Sequence, residues 1–405
     1  MKIVGLITEY NPFHNGHKYH IDKAKEITGA DYCIAVMSGN FVQRGAPAVM
    51  PKHLRTMMAL DGGCDMVIEL PVCYATGSAE YFATGAVAIL DGLGCVDAIC
   101  FGSECGDYTV LESIARILAD EPAKYKDLLQ NYLKQGYSFP LSRQQALKAY
   151  FNDDSISLVL ESPNNILGIE YIKALLLKNS SIKGHTITRE GADYHAQELS
   201  DGFSSASAIR NYIFSDNHDT FKKLKGHTSD LSIDVLNEEY RIRYPLCSDD
   251  FSLILRYKLL SETKESLSEY LDVTAELANR IVNARNEFLN FSQFTELLKT
   301  KELTHSRISR CLIHILLNIK ECNMSSDTYA HVLGFRKSSS DLFSILKQNS
   351  RIPIVTKLTS TDDLNTDQKK MLAHDIYASD LYENVVSDKF KQKFVNELQQ
   401  QIVKY

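Results

Sequence analysis

The sequence lacks the features that would assign it to a membrane or to a disulfide- or zinc-stabilised class. No apolar run in its 405 residues approaches the ~20 that span a bilayer, and the N-terminus enters a strand-like run without a signal-peptide pattern. The nine cysteines form no C-x-x-C pair, and most lie on apparent strands or helices, such as Cys33, Cys64 and Cys100. We therefore expect a cytoplasmic protein with no membrane partner and with buried, reduced thiols.

An excess of positive charge is also missing. The chain has 44 Lys and Arg against 51 Asp and Glu, which gives a net charge of -7. Any contact with nucleic acid must therefore come from a local basic patch. The hydrophobic content of 44% and charged content of 23% are typical of a soluble globular protein, and the length indicates more than one domain.

The most informative stretch lies within the first thirty residues. Residues 2–8 (KIVGLIT) are apolar and rich in β-branched side chains, which predicts a buried strand. Apolar residues recur at helical spacing from Ile21 to Ile27, and Gly29 marks the end of that helix. The loop between them, N-P-F-H-N-G-H, places His14 and His17 around the first turn of the helix.

A helix start of this kind is suited to binding phosphate. Its free backbone N–H groups and the positive end of the helix dipole stabilise anions. Gly16 allows the backbone to approach a ligand, and the imidazoles of His14 and His17 can donate hydrogen bonds to the same anion. The two histidines could instead ligate a metal, but no nearby carboxylate or cysteine completes a ligand set, so we expect no metal site.

Strand-like and helical segments alternate along residues 1–215, which predicts a Rossmann-like parallel α/β sheet with right-handed crossovers. Ligands bind such sheets beyond the carboxyl ends of the strands, where the loops at 38–47, Pro71 and 102–104 are expected. Residues 107–160 read as a helical insertion. Further strands are predicted at 32–37, 66–70, 96–101 and 183–188, and helices at 50–60 and 79–93.

Two later segments carry polar residues at predicted helix starts. Asn164 and Asn165 follow Pro163, a residue suited to a first helical turn, and they either cap that helix or bind a ligand. Ser207 and Arg210 lie in a Ser-rich helix start, where hydroxyls, N–H groups and an arginine can clamp a polyanion. An ordinary Ser-capped helix with a surface arginine is the alternative.

The character of the chain changes after residue 215. A polar stretch at 217–232 marks the expected boundary, and 233–405 is predicted to be mainly helical. Within this region, one predicted helix has a basic face opposite an apolar face. The basic face either is simply exposed to solvent or binds RNA. Its basic residues are Lys299, Lys301, Arg307 and Arg310. A strand near Ile354, a turn at Gly334 and an amphipathic helical tail at 366–405 complete the prediction.

The motif at residues 5–17 (GLITEYNPFHNGH) resembles the H-x-G-H nucleotidyltransferases, and in particular the bacterial tRNA(Met) cytidine acetate ligases. Four other segments are similar to that family: 163–168 (PNNILG), 203–210 (FSSASAIR), 329–335 (YAHVLGF) and 351–357 (RIPIVTK). The segment at 203–210 departs from the family's S-S-[ST]-x-I-R pattern, because Ala206 precedes Ser207.

The resemblance implies an ATP-dependent ligase with a nucleotidyltransferase domain at 1–215 and a tRNA-binding region at 233–405. Such an enzyme activates acetate as acetyl-adenylate, releases pyrophosphate, and acetylates N4 of the wobble cytidine of elongator tRNA(Met). Magnesium is a reasonable companion of ATP, although the sequence shows no dedicated acidic site for it, and no obligatory protein partner is evident.

The resemblance also implies roles for individual residues. His14 and His17 are the expected catalytic residues, and the basic residues named above are expected to bind tRNA. The expected ATP-binding residues are Ile7, Thr8, Glu9, Tyr10, Asn11, Pro12, Phe13, His14, Asn15, Gly16, His17, Lys18, Tyr19, His20, Gly102, Asn164, Asn165, Arg189, Ser207 and Arg210.

Three other functions are compatible with parts of the sequence. One is a small-molecule adenylyltransferase of the same fold, although its chemistry leaves the helical half unexplained. Another is a catalytically silent RNA-binding protein that kept the fold, which the intact H-N-G-H motif argues against. The last is a zinc protein, which metal analysis would test.

Overall fold

The computed structural model describes residues 1–189, 204–215, 221–320 and 328–405. The strands are β1 (Ile3–Thr8), β2 (Tyr32–Ser38), β3 (Phe41–Val42), β4 (Ala46–Pro47), β5 (Met66–Leu70), β6 (Ala98–Ser103), β7 (Lys183–Thr188), β8 (Ala330–Phe335), β9 (Ile354–Val355) and β10 (Val403–Lys404).

The helices of the first half are α1 (Asn15–Thr28), α2 (Lys52–Asp61), α3 (Val72–Ala75), α4 (Ala79–Gly92), α5 (Tyr108–Asp120), α6 (Ala123–Lys134), α7 (Phe139–Phe151), α8 (Ser155–Glu161), α9 (Pro163–Leu177) and α10 (Ala206–Phe214). Those of the second half are α11 (Asp230–Glu239), α12 (Ser252–Ser261), α13 (Lys264–Leu267), α14 (Ala275–Ala284), α15 (Phe291–Leu298), α16 (His305–Leu316), α17 (Asp341–Asn349) and α18 (Thr366–Phe390).

The main sheet has the order β10-β8-β5-β2-β1-β6-β7, with β9 paired to β8. Strands β5, β2, β1, β6 and β7 run parallel, while β8 is antiparallel to β5. Parallel neighbours require crossover connections, which the helices between them provide, and the predicted α/β fold is confirmed. The strand order reverses at β1, so a crevice is expected at the carboxyl ends of β1 and β6.

Both faces of the sheet are buried, because alternate residues of each strand pack against different helix layers. On β2, Ile34 and Val36 belong to one core, whereas Cys33, Ala35 and Met37 belong to the other. The described cysteines are all free, and Cys33, Cys64 and Cys100 are buried. In the described part of the chain, none of the helices has the length and apolar character required to cross a membrane.

The second half is mostly helical, as expected, but it also completes the sheet. Strand β8 pairs with β5 on one edge and with β9 and β10 on the other. The turn predicted at Gly334 is wrong, since this residue lies within β8. A side chain there would place Cβ 2.6 Å from Cγ2 of Thr56 and 2.9 Å from Cβ of Val403. Close approach of its neighbours, rather than a turn, therefore requires glycine.

A buried ion network fixes the C-terminal segment to the sheet. Nζ of Lys52 lies 2.7 Å from a carboxylate oxygen of Glu69 on β5 and 2.8 Å from one of Glu397. It also donates to Oγ of Ser379 on α18, at 2.9 Å. Such a buried charge is stable only when its partners are present. The structure therefore links strands and helices from both sides of the boundary expected at 217–232.

Two element boundaries differ from the predictions in ways that matter for the site. Strand β6 was expected at 96–101 but runs from Ala98 to Ser103, because its last residues pair with β7 as far as Thr188. Gly102 consequently lies inside the strand end. Pro163 does begin α9, as expected, but no side chain caps that helix at Ser162.

Candidate functional site

A cavity of about 440 Å³ opens at the carboxyl ends of β1 and β6, where the strand order reverses. That volume is within the range of small-molecule sites. The predicted ATP-binding residues that line it are Ile7, Thr8, Glu9, Tyr10, Asn11, His14, Gly16, His17, Tyr19, His20, Gly102, Asn164, Arg189, Ser207 and Arg210. The predicted residues that are not among its lining are Pro12, Phe13, Asn15, Lys18 and Asn165.

His14 and His17 form a stacked pair at the start of α1. Their ring centroids are 3.7 Å apart with an interplanar angle of 27°. The backbone N–H of Gly16 donates to Nδ1 of His14 at 3.1 Å, and the N–H of His14 donates to Nδ1 of His17 at 3.3 Å. Because each Nδ1 accepts a hydrogen bond, a neutral ring carries its proton on Nε2. Both rings can then donate an Nε2–H into the cavity.

The histidines of this turn are neutral at physiological pH. Burial, together with the nearby Arg189 and Arg210, lowers the pKa of His14 to about 3. Burial also lowers the pKa of His20 to about 4, again with Arg189 contributing. The pKa of His17 lies well below its usual value because the ring is buried and stands next to His14. A neutral donor binds an anion through its hydrogen bond without titrating near pH 7.

Aromatic side chains hold the His17 ring in place. The Tyr10 ring lies edge-on to it with 4.8 Å between the ring centroids, and the Phe13 ring is tilted against it at 5.6 Å. Phe13 in turn packs so closely on Gly62 that a Cβ there would lie 2.1 Å from its Cζ. Phe13 therefore supports the motif from the core instead of touching the cavity, and a side chain at position 62 would displace it.

Arg210 reaches back from α10 to the histidine loop. Its guanidinium donates to the carbonyl of Asn11 at 2.7 Å and to Oγ of Ser207 at 3.0 Å. Oδ1 of Asn11 accepts from the N–H of Val49 at 2.8 Å, which fixes the loop that Arg210 contacts. The helix itself is capped by Ser205, whose side chain accepts from the N–H of Ala208. Arg210 is thus a cavity residue and not a surface arginine.

The two asparagines of α9 have different positions. Asn164 lines the cavity, and its Nδ2 donates to Oε1 of Glu104 at 2.7 Å. Asn165 is buried behind the wall, where its Oδ1 accepts from the N–H groups of Glu104 and Cys105 at 2.9 and 3.1 Å. The Glu104 carboxylate accepts from the first N–H groups of α9. Neither asparagine caps the helix, since Glu104 does so from the end of β6.

The chain matches known proteins over nearly its full length. Residues 1–397 match the family model described as HIGH Nucleotidyl Transferase. A protein from Acetivibrio thermocellus named tRNA(Met) cytidine acetate ligase is 43% identical, with 94% of each chain covered. One of the same name from Halothermothrix orenii is 40% identical, with 97% of each covered. The chain belongs to the tRNA(Met) cytidine acetate ligase family.

Solved structures agree with this assignment. The crystal structure of Thermotoga maritima TmcAL in its apo form I superposes with a TM-score of 0.93 at 33% identity, covering 100% of this chain and 99% of that one. The structure of the same protein bound with alpha-thio ATP gives a TM-score of 0.91 at the same identity and coverage. The resemblance of the sequence to the ligase family is therefore confirmed.

Two other predicted ATP-binding residues of this family member have partners outside the cavity. Nζ of Lys18 forms an exposed ion pair with Asp22, one turn along α1, at 3.0 Å. Nδ2 of Asn15 donates to the carbonyl of Gly226 at 2.7 Å, and its N–H donates to the carbonyl of His227. Asn15 therefore ties the helix start to the segment that follows residue 221.

Sequence reasoning missed several residues that shape the site. Arg55 is completely buried on α2, and its guanidinium donates to the carbonyls of Glu9 at 2.6 Å, Ser38 at 3.0 Å and Gly39. It thus fixes the loops that follow β1 and β2. Apolar wall residues were also missed, because a buried aromatic carries no local signal of a ligand. They are Phe82, Phe101, Leu167, Tyr171 and Leu246.

The predicted tRNA-binding residues lie around the start of α16. Lys299 and Lys301 are exposed, and Lys299 pairs with Glu296 at 3.5 Å. Arg307 and Arg310 are partly buried on the first turns of the helix. Burial lowers the pKa of Arg310, and within the described residues its buried Nε has no hydrogen-bond partner. The basic face is therefore less solvated than the sequence alone indicates.

Proposed function

We propose that this chain is an ATP-dependent ligase that acetylates N4 of the wobble cytidine of elongator tRNA(Met), with acetyl-adenylate as the intermediate. The observation that supports this most is the stacked pair of neutral histidines, both presenting Nε2–H at a helix N-terminus beside Arg210. Such an array suits the phosphates of a nucleotide. The family's name supplies the acceptor and the acyl group.

In the first step, an oxygen of acetate attacks the α-phosphorus of ATP and the bond to the β-phosphate breaks, which releases pyrophosphate. Acetate is already ionised at pH 7, since carboxyl groups of this kind have a pKa near ~4, so no general base is required. The task of the protein is to position the reactants and to stabilise charge on the phosphates. We assign that task to His14, His17, Ser207 and Arg210.

The nucleoside end of ATP is assigned to the part of the cavity around Gly102. Gly102, at the end of β6, leaves room beside the Arg189 side chain, whose Cγ would lie 3.1 Å from a Cβ at position 102. Asn164 borders the same region and is held by Glu104. A side chain at 102 would narrow this part of the cavity. We propose that Gly102, Asn164 and Arg189 border the nucleoside.

In the second step, the N4 amine of cytidine attacks the acetyl carbon, AMP leaves, and the amine loses a proton. We propose that Lys299, Lys301, Arg307 and Arg310 hold the tRNA backbone during this transfer. Among the described residues, no group of three His, Cys, Asp or Glu side chains is arranged to hold a metal ion. We therefore propose magnesium only as an ion bound to the ATP phosphates. The proposed location is the cytoplasm.

Incubation of the full chain with ATP, labelled acetate and bulk tRNA, followed by nucleoside analysis, tests this function. We expect N4-acetylcytidine confined to elongator tRNA(Met). Labelled acetyl-AMP without labelled RNA would support the proposed first step and contradict tRNA as the acceptor. Adenylation of another small molecule in place of acetate would favour the small-molecule adenylyltransferase, and ATP binding without either product would favour a silent RNA-binding protein.

A further inference from the structure

The short hairpin formed by β3 and β4, residues 41–47, lies between the cavity and α16. Its turn residue Gly45 has φ of 73°. A Cβ at this position would lie 2.3 Å from the backbone N of Arg310 and 2.5 Å from the carbonyl carbon of Ser309. The hairpin therefore packs backbone to backbone on the helix that carries the basic face, and only glycine fits there.

The hairpin is also fixed to the cavity floor. The N–H of Gln43 donates to Oε1 of Glu9 at 2.9 Å, and its Nε2 donates to the carbonyl of Gly77 at 3.4 Å. The adjoining carbonyl of Thr76 lies 3.0 Å from Nε2 of His314, a buried residue of α16. The cavity floor, the hairpin and α16 are consequently joined by direct contacts.

Arginine side chains are present at each part of this connection: in the cavity, on the hairpin and on α16. Arg210 lies inside the cavity, Arg44 is exposed on the hairpin and also lines the cavity, and Arg307 and Arg310 lie on α16. Burial lowers the pKa of Arg210, Glu9 opposes this, and Arg44 lowers it further. Burial likewise lowers the pKa of Arg310, against the opposing effects of Asp272 and Cys311, and Arg307 adds to the lowering. A row of like charges is stabilised when a polyanion lies along it.

We propose that the hairpin 41–47 carries the RNA backbone from α16 to the cavity, and that Arg44 binds a phosphodiester next to the acceptor nucleotide. The proposal rests on the proposed function and deepens it. Arg44 is suited to this role since a guanidinium binds phosphate with two parallel hydrogen bonds. Contacts of this kind set the register of a nucleic acid on a protein. Arg44 would thus place the wobble base at the cavity mouth.

Replacement of Arg44 tests the proposal, with Arg116→Ala on α5 as the matched control. Arg116 is exposed and paired with Glu112, and it is not among the cavity residues. For Arg44→Ala we expect the KM for tRNA to rise about tenfold and the slope of log affinity against log salt to fall by about one. A rise in the KM for ATP in acetate-dependent pyrophosphate exchange, with the KM for tRNA unchanged, would overturn the proposal and make Arg44 an ATP ligand.

Gly45→Ala provides a second test that changes no charge. The added methyl would separate the hairpin from α16, so we expect weaker tRNA binding from a chain whose Arg44, Arg307 and Arg310 are all intact. Normal affinity for tRNA in a folded Gly45→Ala chain would contradict the proposed path. Equilibrium binding of bulk tRNA, measured without ATP or acetate, separates this question from the proposed function. Loss of tRNA affinity in Arg44→Ala in this binding assay would support the proposed route of the RNA along the hairpin, even if the wild-type chain transferred no acetyl group.

Discussion

The histidine turn and the basic start of α16 are both proposed to bind anions, but they are built differently. At the histidine turn, His14 and Arg210 are held by hydrogen bonds to the backbone and are largely shielded from water. At the start of α16, Lys299 and Lys301 are exposed, whereas Arg307 and Arg310 are partly buried. A fixed, shielded donor stabilises a transition state, whereas an exposed charge mainly adds affinity that salt weakens. The first surface should therefore control rate and the second should control binding.

The largest effect is expected at the histidine turn. If His17 donates to phosphate as proposed, replacing it by Ala should cost on the order of 3 kcal/mol in the transition state, or 10²- to 10³-fold in rate. The measurement is acetate-dependent ATP–pyrophosphate exchange by folded protein. His374→Ala on α18 is the matched control and should retain normal exchange. Unchanged exchange in His17→Ala would remove this residue from the proposed chemistry.

The next effect tests whether the two surfaces act independently. Arg307→Glu combined with Arg310→Gln should abolish transfer to tRNA while exchange stays within about threefold of wild type, because the charge on α16 is proposed to act only in RNA binding. Gln is chosen at position 310 since a buried carboxylate there would risk unfolding. Arg116→Glu, which reverses one exposed charge outside both surfaces, controls for the charge reversal at position 307. Equal loss of both activities would mean that the comparison is wrong or that the variant is misfolded.

A third prediction concerns the pH dependence of stability at the histidine turn. An unfolded histidine has a pKa near ~6.5, whereas burial lowers the pKa of His14 to about 3 and of His20 to about 4 in the folded chain. Between those values the unfolded chain binds more protons, so the free energy of unfolding falls as the pH falls. At pH 5 the two histidines together should cost up to about 4 kcal/mol relative to pH 7.

Urea unfolding at pH 7 and pH 5 measures this cost. The double variant His14→Asn, His20→Asn should lose less stability over that interval than the wild-type chain does. His305→Asn, an exposed position at the start of α16, is the matched control and should lose as much as wild type. An equal loss in the double variant would show that other groups cause the acid sensitivity.

The smallest effect is expected for Lys18→Ala. Lys18 is adjacent in sequence to His17, but its side chain pairs with Asp22 on the exposed side of α1. Exposed pairs of this kind contribute about 0–1 kcal/mol. The KM for ATP in the exchange reaction should therefore change by about threefold or less. A change as large as that of His17→Ala would place Lys18 among the phosphate ligands and extend the site beyond the cavity lining.

The parts of the fold with local sequence signals were predictable. Strands β1, β2, β5 and β7 are apolar or β-branched runs next to turn residues, and they lie within a residue of their expected bounds. Strands β8 and β10 were not predictable. Strand β8 contains His331 and Gly334, and β10 has two residues, so neither shows a period, and both exist because of pairing with distant strands.

The candidate site was predictable to a similar extent. The H-x-G-H turn combines rare residues at fixed spacing, so its position at a helix start could be inferred. The loop at 38–47 was expected at the ligand-binding edge of the sheet, and residues of it do line the cavity. Its contacts with α16 and the carbonyl-binding role of Arg55 could not be inferred, because they depend on which segments meet in space. For the same reason, Glu104 was noted as a loop residue but not as the group that holds Asn164.

The central claim is that the cavity activates acetate without help from RNA, and ATP–pyrophosphate exchange tests it most directly. The purified full chain would be incubated with ATP, labelled pyrophosphate and acetate, with tRNA absent. We predict label in ATP that depends on acetate and that is nearly lost in His17→Ala. Exchange that requires tRNA, or no exchange by a chain that still binds ATP, would contradict the account.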